Sequence, residues 1–149
     1  FSDVMLMRAE ALIETDQLAE ARTIINDIRQ RAKNSVDKHI AYAKDQCEIA
    51  LYPESYFKDK ETARKCLRWE RRLELAMENG RYFDLRRWGL ASKTLNAYFA
   101  TEKNDVYDGQ TYATYLKDAH YTAGKNEFYP IPYNQLYYVP GLYKQNKNY

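Results

Sequence analysis

Apolar positions recur at helical spacing along most of this chain. Met5, Ala9 and Leu12 form one stripe, and Leu18, Ala21, Ile25, Ile28 and Ala32 form the next. The pattern predicts helices from Val4 to about Thr15 and from Leu18 to about Ala32. Asp3 stands where a helix cap belongs, and Asp16-Gln17 makes a short turn between the two. The residues at Ala9, Leu12, Leu18, Ala21 and Ile25 match the spacing of one tetratricopeptide-type hairpin, with Asp16 where glycine is common. A single hairpin of this kind cannot cover its own apolar face and needs neighbours.

Between Asn34 and Lys60 the pattern weakens. Ile40, Ala43, Cys47 and Ala50 predict a third helix from Ile40 to Leu51, ended by Pro53, after which Tyr52, Tyr56 and Phe57 cluster on a loop. The stretch is longer than a bare connection and reads as an insertion. Helical spacing then returns and runs to Met77, where Asn79-Gly80 supplies residue types suited to closing a helix. Ala63, Cys66, Leu67, Leu73 and Met77 share one face, with Arg72 opposite. A short helix after Gly80 brings Arg81, Leu85 and Trp88 to one side, with Asp84 beside them, and weaker spacing continues through Leu90, Leu95 and Phe99.

The last third changes character. Thr101 to Asn126 is polar and aromatic, with Thr111 to Leu116 alternating enough for a short strand. Two prolines force Phe128-Tyr129-Pro130-Ile131-Pro132 to be extended. Asn134 to Tyr138 makes a single helical turn, broken at Pro140. The organisation predicted is all-α: a hairpin over about 3–32, an insertion over about 34–60, core helices over about 61–99, a variable loop region over about 100–127 and an extended segment over 128–149.

A chain of 149 residues forms one domain, a size that buries about 68–70% of its unfolded surface. The net charge is +2 with acids and bases interleaved, which gives no nucleic-acid footprint. Glycine is too scarce, at five residues, for an all-β sandwich with its many turns. No stretch approaches the roughly 18 apolar residues of a membrane-spanning helix, and no signal peptide or lipobox is present. Tyrosine is the outlier: fifteen of them, each an apolar ring with a polar tip suited to wet surfaces and sugar faces as well as core edges.

The candidate chemistry is sparse. Glu70 and Glu74 fall in the middle of an apolar face, where carboxylates must be protonated or paired. Arg71, Arg81 and Arg87 are the nearest partners in sequence. Paired acids could serve glycoside hydrolysis, but two residues one turn apart on a helix cannot flank a sugar from opposite faces. A structural ion-pair lattice of Glu70, Arg71, Glu74, Arg81, Asp84 and Arg87 fits better. Cys47 and Cys66 have no metal spacing; Cys66 is placed as a buried free thiol, and a disulfide between the two is the alternative. His39 is placed in solvent, with no acid, cysteine or histidine at metal spacing. The segment from Asn104 to Gly109 lacks an EF-hand's ligands, having Val106 at the third position and Tyr115 where the closing glutamate belongs.

Three stretches together resemble one family. Trp69-Glu70-Arg71-Arg72-Leu73-Glu74-Leu75-Ala76-Met77-Glu78-Asn79-Gly80-Arg81, continuing through Asp84-Leu85 to Arg87-Trp88, resembles the "ER-x-ELA-x-EG-x-R-x-x-DL-x-RW" stretch of the SusD/RagB family, with Asn79 departing from the pattern. Asp3 to Leu12 and Ile25 to Ala32 are similar to that family's "DVLLM-x-AEAL" and "IN-x-IR-x-RA" segments, where Arg29 and Arg31 read as structural. Phe128 to Tyr149 resembles its "PIP…QNPGY" ending, with Gln135 for glutamate, Val139 for asparagine and Lys147-Asn148 for Pro-Gly.

The resemblance implies a C-terminal portion, a quarter or so, of a surface-exposed outer-membrane lipoprotein whose lipid-anchoring leader lies outside this chain. It implies glycan capture for a TonB-dependent transporter, without catalysis, cofactor or metal. The partners are then a glycan, that transporter and the remaining N-terminal part of the same protein, with no nucleic acid. A tetratricopeptide-type protein-interaction module is the alternative, though one hairpin is too few for a peptide groove. Family motif residues carry over as scaffold, not as ligand contacts. The loop region mixes rings with Asn104, Asp105, Asp108 and Gln110, suitable partners for sugar hydroxyls, and this places sugar contact at Tyr107, Tyr112 and Tyr115.

Overall fold

The hairpin at the start forms as α1 (Ser2–Glu14) and α2 (Leu18–His39). The computed structural model describes residues 1–39, 47–104, 106–107, 110–111 and 114–149. Asp16 adopts φ 62, so an aspartate serves at the left-handed position where glycine is common. The turn closes by the Gln17 amide donating to the Leu12 carbonyl at 2.8 Å. Asp3 does not cap α1, contrary to expectation: the cap position is Phe1, with no side-chain bond. Asp3 lies within the first turn of α1, where its carboxylate meets Arg71 at 2.9 Å. The second helix also runs past Ala32 to His39.

The third helix, α3 (Lys60–Glu74), starts where Asp59 accepts a bond from the Thr62 amide at 2.8 Å. Lys60 then places its ammonium 2.9 Å from both the Glu14 carbonyl and the Asp16 carboxylate, a cation at the negative end of α1. Arg64 grips Glu14 through both carboxylate oxygens, and its guanidinium holds that carboxyl below its usual range. These contacts seat α3 on the hairpin. Leu6, Ala9, Ile13, Ala21, Ile25, Ala63 and Leu67 are essentially inaccessible and form its core. Each buried large aliphatic side chain contributes about 1.5–3 kcal/mol.

Two expectations for α3 are corrected. It ends at Glu74, not Met77, and the chain turns away with Met77 at φ 68 and Asn79 at φ 61. Leu73 is half exposed and Met77 is 97% exposed. The buried arc comprises Ala63, Cys66, Leu67, Glu70 and Arg71. Including Arg71 rotates the arc and leaves Leu73 on its opposite edge.

The expected third helix at Ile40 to Leu51 is not seen in its described part: Cys47–Leu51 has no regular structure, and 40–46 lie outside the described residues. A 3-10 turn at Glu54–Phe57 follows, burying Phe57 against Tyr52. Cys47 is exposed and Cys66 buried, both as free thiols, and burial pushes the Cys66 thiol up.

The chain divides into two compact units, Phe1–Arg81 and Tyr82–Tyr149. The second gathers α4 (Arg81–Arg87) and α5 (Ala91–Glu102) around Leu85, Ala91 and Tyr121, with Tyr82, Leu90, Leu95 and Phe99 packed on them. Gly89 at φ 68 ends α4, letting the Leu90 amide reach the Leu85 carbonyl at 2.8 Å. Strands β1 (Val106–Tyr107) and β2 (Gln110–Thr111) pair antiparallel, with Tyr107 opposite Gln110. Of the strand expected over Thr111 to Leu116, Thr111 lies in β2 and Thr114–Leu116 is instead a 3-10 turn, while 112–113 lie outside the described residues. A final helix, α6, spans Tyr133–Tyr138. The architecture is helical, with that two-residue ladder as the sheet structure among the described residues.

Candidate functional site

The polar groups inside the first unit are organised by α2. Arg29 Nη1 donates to Glu70 Oε2 at 2.7 Å, Nε donates to the Ala50 carbonyl at 2.7 Å, and the guanidinium carbon lies 4.5 Å from the centre of the Tyr52 ring. Arg31 pairs with Glu74. The arginines that answer the two glutamates therefore come from α2, where sequence proximity pointed to Arg71, Arg81 and Arg87. Arg71 reaches Asp3, and Arg87 bonds Asp84 within α4 at 2.9 Å. Arg81 begins α4. The Glu70 side chain is only 5% exposed. Its burial raises the carboxyl's pKa against the opposing pull of Arg29, and the same burial pushes the Tyr52 phenol up to about 12.

A cleft of about 230 Å³ beside these pairs is lined by Arg29, Glu48, Ile49, Glu70 and Leu73, among others. That is smaller than the roughly 300–1,000 Å³ typical of small-molecule sites. Both carboxylates are engaged by arginine, one turn apart on a single helix, an arrangement that holds helices together and leaves no room for a substrate between the acids. No cluster of three or more metal-ligating side chains occurs among the described residues.

Three side-chain amides pin the loops, and the sequence reading did not single them out. Asn26 donates to the Tyr52 carbonyl at 3.1 Å and accepts from its amide at 2.8 Å. Asn96 does the same for Tyr121, at 2.9 and 2.8 Å. Gln145 does it for Ile131, at 3.0 and 2.9 Å. A carboxamide carries one acceptor and two donors, so it can replace a neighbouring strand in satisfying both backbone groups of one residue. The available signal was an amide adjoining an apolar stripe, as Asn26 follows Ile25 and Asn96 follows Leu95.

The exposed aromatics lie mainly in the second unit. Of the three tyrosines placed at a sugar site, Tyr115 is 80% exposed on the 3-10 turn Thr114–Leu116. Tyr107 stands in β1, and Tyr112 lies outside the described residues. Tyr121, which belongs to the same stretch, is instead buried in the core. The helical turn expected at Asn134 to Tyr138 forms as α6, but sequence reasoning passed over its tyrosines. There Tyr133 and Tyr137 are 75% and 64% exposed, and their rings stack with centroids 6.1 Å apart and planes at 22°. Tyr138 meets Tyr137 edge-on at 5.6 Å.

Fold and site together define a helical scaffold: a tetratricopeptide-type hairpin closed by a third helix, arginine–carboxylate pairs holding it, and exposed rings on a second unit. The family model described as SusD family matches residues 1–149, and the chain belongs to that family. The family is associated with glycan binding in nutrient uptake, and its members are generally non-catalytic binding proteins, typically outer-membrane lipoproteins. No curated protein matches the chain.

Proposed function

We propose that this chain is the C-terminal portion of a lipid-anchored protein on the outer surface of the outer membrane. It captures glycan without cleaving it and delivers it to a TonB-dependent transporter, working with the remaining N-terminal part of the same protein. Membership of the SusD family over residues 1–149 carries the reading. Glu70, Arg71, Glu74, Arg81, Asp84 and Arg87 serve as scaffold in this account; the pairing of Glu70 and Glu74 with arginines supports that role over an acid–base one. Tyr107, Tyr112 and Tyr115 contact sugar, supported by the exposure of Tyr115 and by the neighbouring amides and acids.

Affinity electrophoresis through gels containing polysaccharides tests this directly. Retardation by at least one polymer, with no reducing sugar released, is expected; retardation by none contradicts it. Replacing Tyr107, Tyr112 and Tyr115 together with alanine weakens retardation and leaves the melting temperature nearly unchanged. A triple variant that unfolds would show that these rings are core.

A further inference from the structure

The segment from Phe128 to Tyr143 contains no Asp, Glu, Lys, Arg or His, in a chain with 30% charged residues. It is nonetheless largely exposed: Tyr129, Tyr133 and Tyr138 are each about three-quarters accessible, and Tyr137 nearly two-thirds. Exposed rings gathered in one uncharged segment make it a candidate contact site. On α6, residues four apart share a face, so Tyr133 and Tyr137 form one stripe and Asn134 and Tyr138 the next.

The segment is braced by prolines and side-chain hydrogen bonds. Pro130, Pro132 and Pro140 fix the backbone, and Gln145 clamps Ile131 through both its peptide groups. Asn146 donates to the Tyr129 carbonyl at 2.6 Å, and the Tyr149 hydroxyl to the Phe128 carbonyl at 2.8 Å. Rings on such a base lose little entropy when they gain a partner. Among the described residues, Arg86 lies 5.1 Å from the Phe128 centroid, outside α6.

Resting on the glycan-capture reading, the geometry points to a second sugar-contact site on this chain: the stacked Tyr133–Tyr137 pair with Asn134 and Tyr138, taking a neutral polysaccharide. Stacked rings offer an apolar face to the C–H side of a sugar ring, while phenol and carboxamide groups bond its hydroxyls. Uronate or sulfate would gain no charge partner on α6, so charge complementarity selects an uncharged polymer. Tyrosine in place of leucine or phenylalanine keeps this face soluble when empty, which favours a wet, reversible ligand over a permanent protein contact.

The experiment is affinity electrophoresis of the intact chain in amylopectin, galactomannan, mixed-linkage β-glucan, polygalacturonate and alginate. Wild type should be retarded by at least one of the three neutral polymers. Tyr133→Ala/Tyr137→Ala should weaken that apparent Kd about tenfold, or ~1.4 kcal/mol, and Tyr133→Phe/Tyr137→Phe should retain most of it. No retardation of wild type by any polymer removes the glycan-capture reading and this site with it. Retardation that the alanine pair leaves unchanged removes this site alone and gives the α6 face to a protein partner. Retardation by the acidic polymers only overturns the neutral class. If the alanine pair fails to fold, tetranitromethane nitration of wild type decides: the bound neutral polymer should protect Tyr133 and Tyr137, and equal nitration with and without it overturns the site.

Discussion

Replacing Arg29 is the sharpest test of what holds the first unit together. Its guanidinium serves Glu70, the Ala50 carbonyl and the Tyr52 ring at once, and is itself largely buried. In Arg29→Met the aliphatic volume is roughly kept, but Glu70 is left as a carboxylate in a site only 5% exposed. An uncompensated buried charge costs about 3–5 kcal/mol. The lost ring contact, at about 0.5–2 kcal/mol, overlaps with that figure and does not simply add to it. Glu70's pKa is already raised in the folded chain. A raised folded value means stability relative to the unfolded state is present at low pH and lost as pH rises through that value. Removing Arg29 raises it further, so the penalty should be largest at pH 7 and shrink on acidification toward the carboxylate range. Urea unfolding followed by far-ultraviolet circular dichroism at pH 7 and pH 4.5 measures both. Arg29→Met/Glu70→Leu should recover most of the loss, because a buried pair replaced by apolar groups is often neutral or better. A single-variant cost under about 1 kcal/mol, or a double variant as unstable as the single, would refute the reasoning.

Two further variants probe the neighbouring contacts. Glu74→Leu should cost no more than about 1 kcal/mol in the same urea assay, since its partner Arg31 is 58% exposed and is rehydrated when the pair is lost; sequence reasoning alone, with a buried arginine as the partner, predicts about 3–5 kcal/mol. Gln145→Ala should leave both backbone groups of Ile131 without their carboxamide, costing about 1–3 kcal/mol. Hydrogen exchange at the Ile131 amide should then accelerate while amides in α1 and α2 are unaffected, and unchanged exchange at Ile131 would show the clamp to be dispensable.

The sequence by itself determined the local elements. Apolar spacing laid down the α1–α2 hairpin, the start of α3 and the short helix after Gly80, because helical periodicity needs only residues three and four apart. It also marked Glu70 and Glu74 as carboxylates that must find cations, since burial of an acid on an apolar face has few physical outcomes. Which cations they find was a matter for the tertiary structure alone. Arg29 and Arg31 lie 41 and 43 residues away, whereas Arg71 stands adjacent and turns toward Asp3. The same holds for the amide clamps, which join Asn26 to Tyr52 and Asn96 to Tyr121 across 26 and 25 residues. Long-range pairing also decided which tyrosines stay outside. Tyr121 is drawn into a core because Asn96 holds its backbone there, while Tyr133 and Tyr137 stay in solvent on a segment that Gln145 fixes from its far end. Nothing in the spacing of these tyrosines separates the two fates, since the contacts that set them come from parts of the chain that only folding brings near.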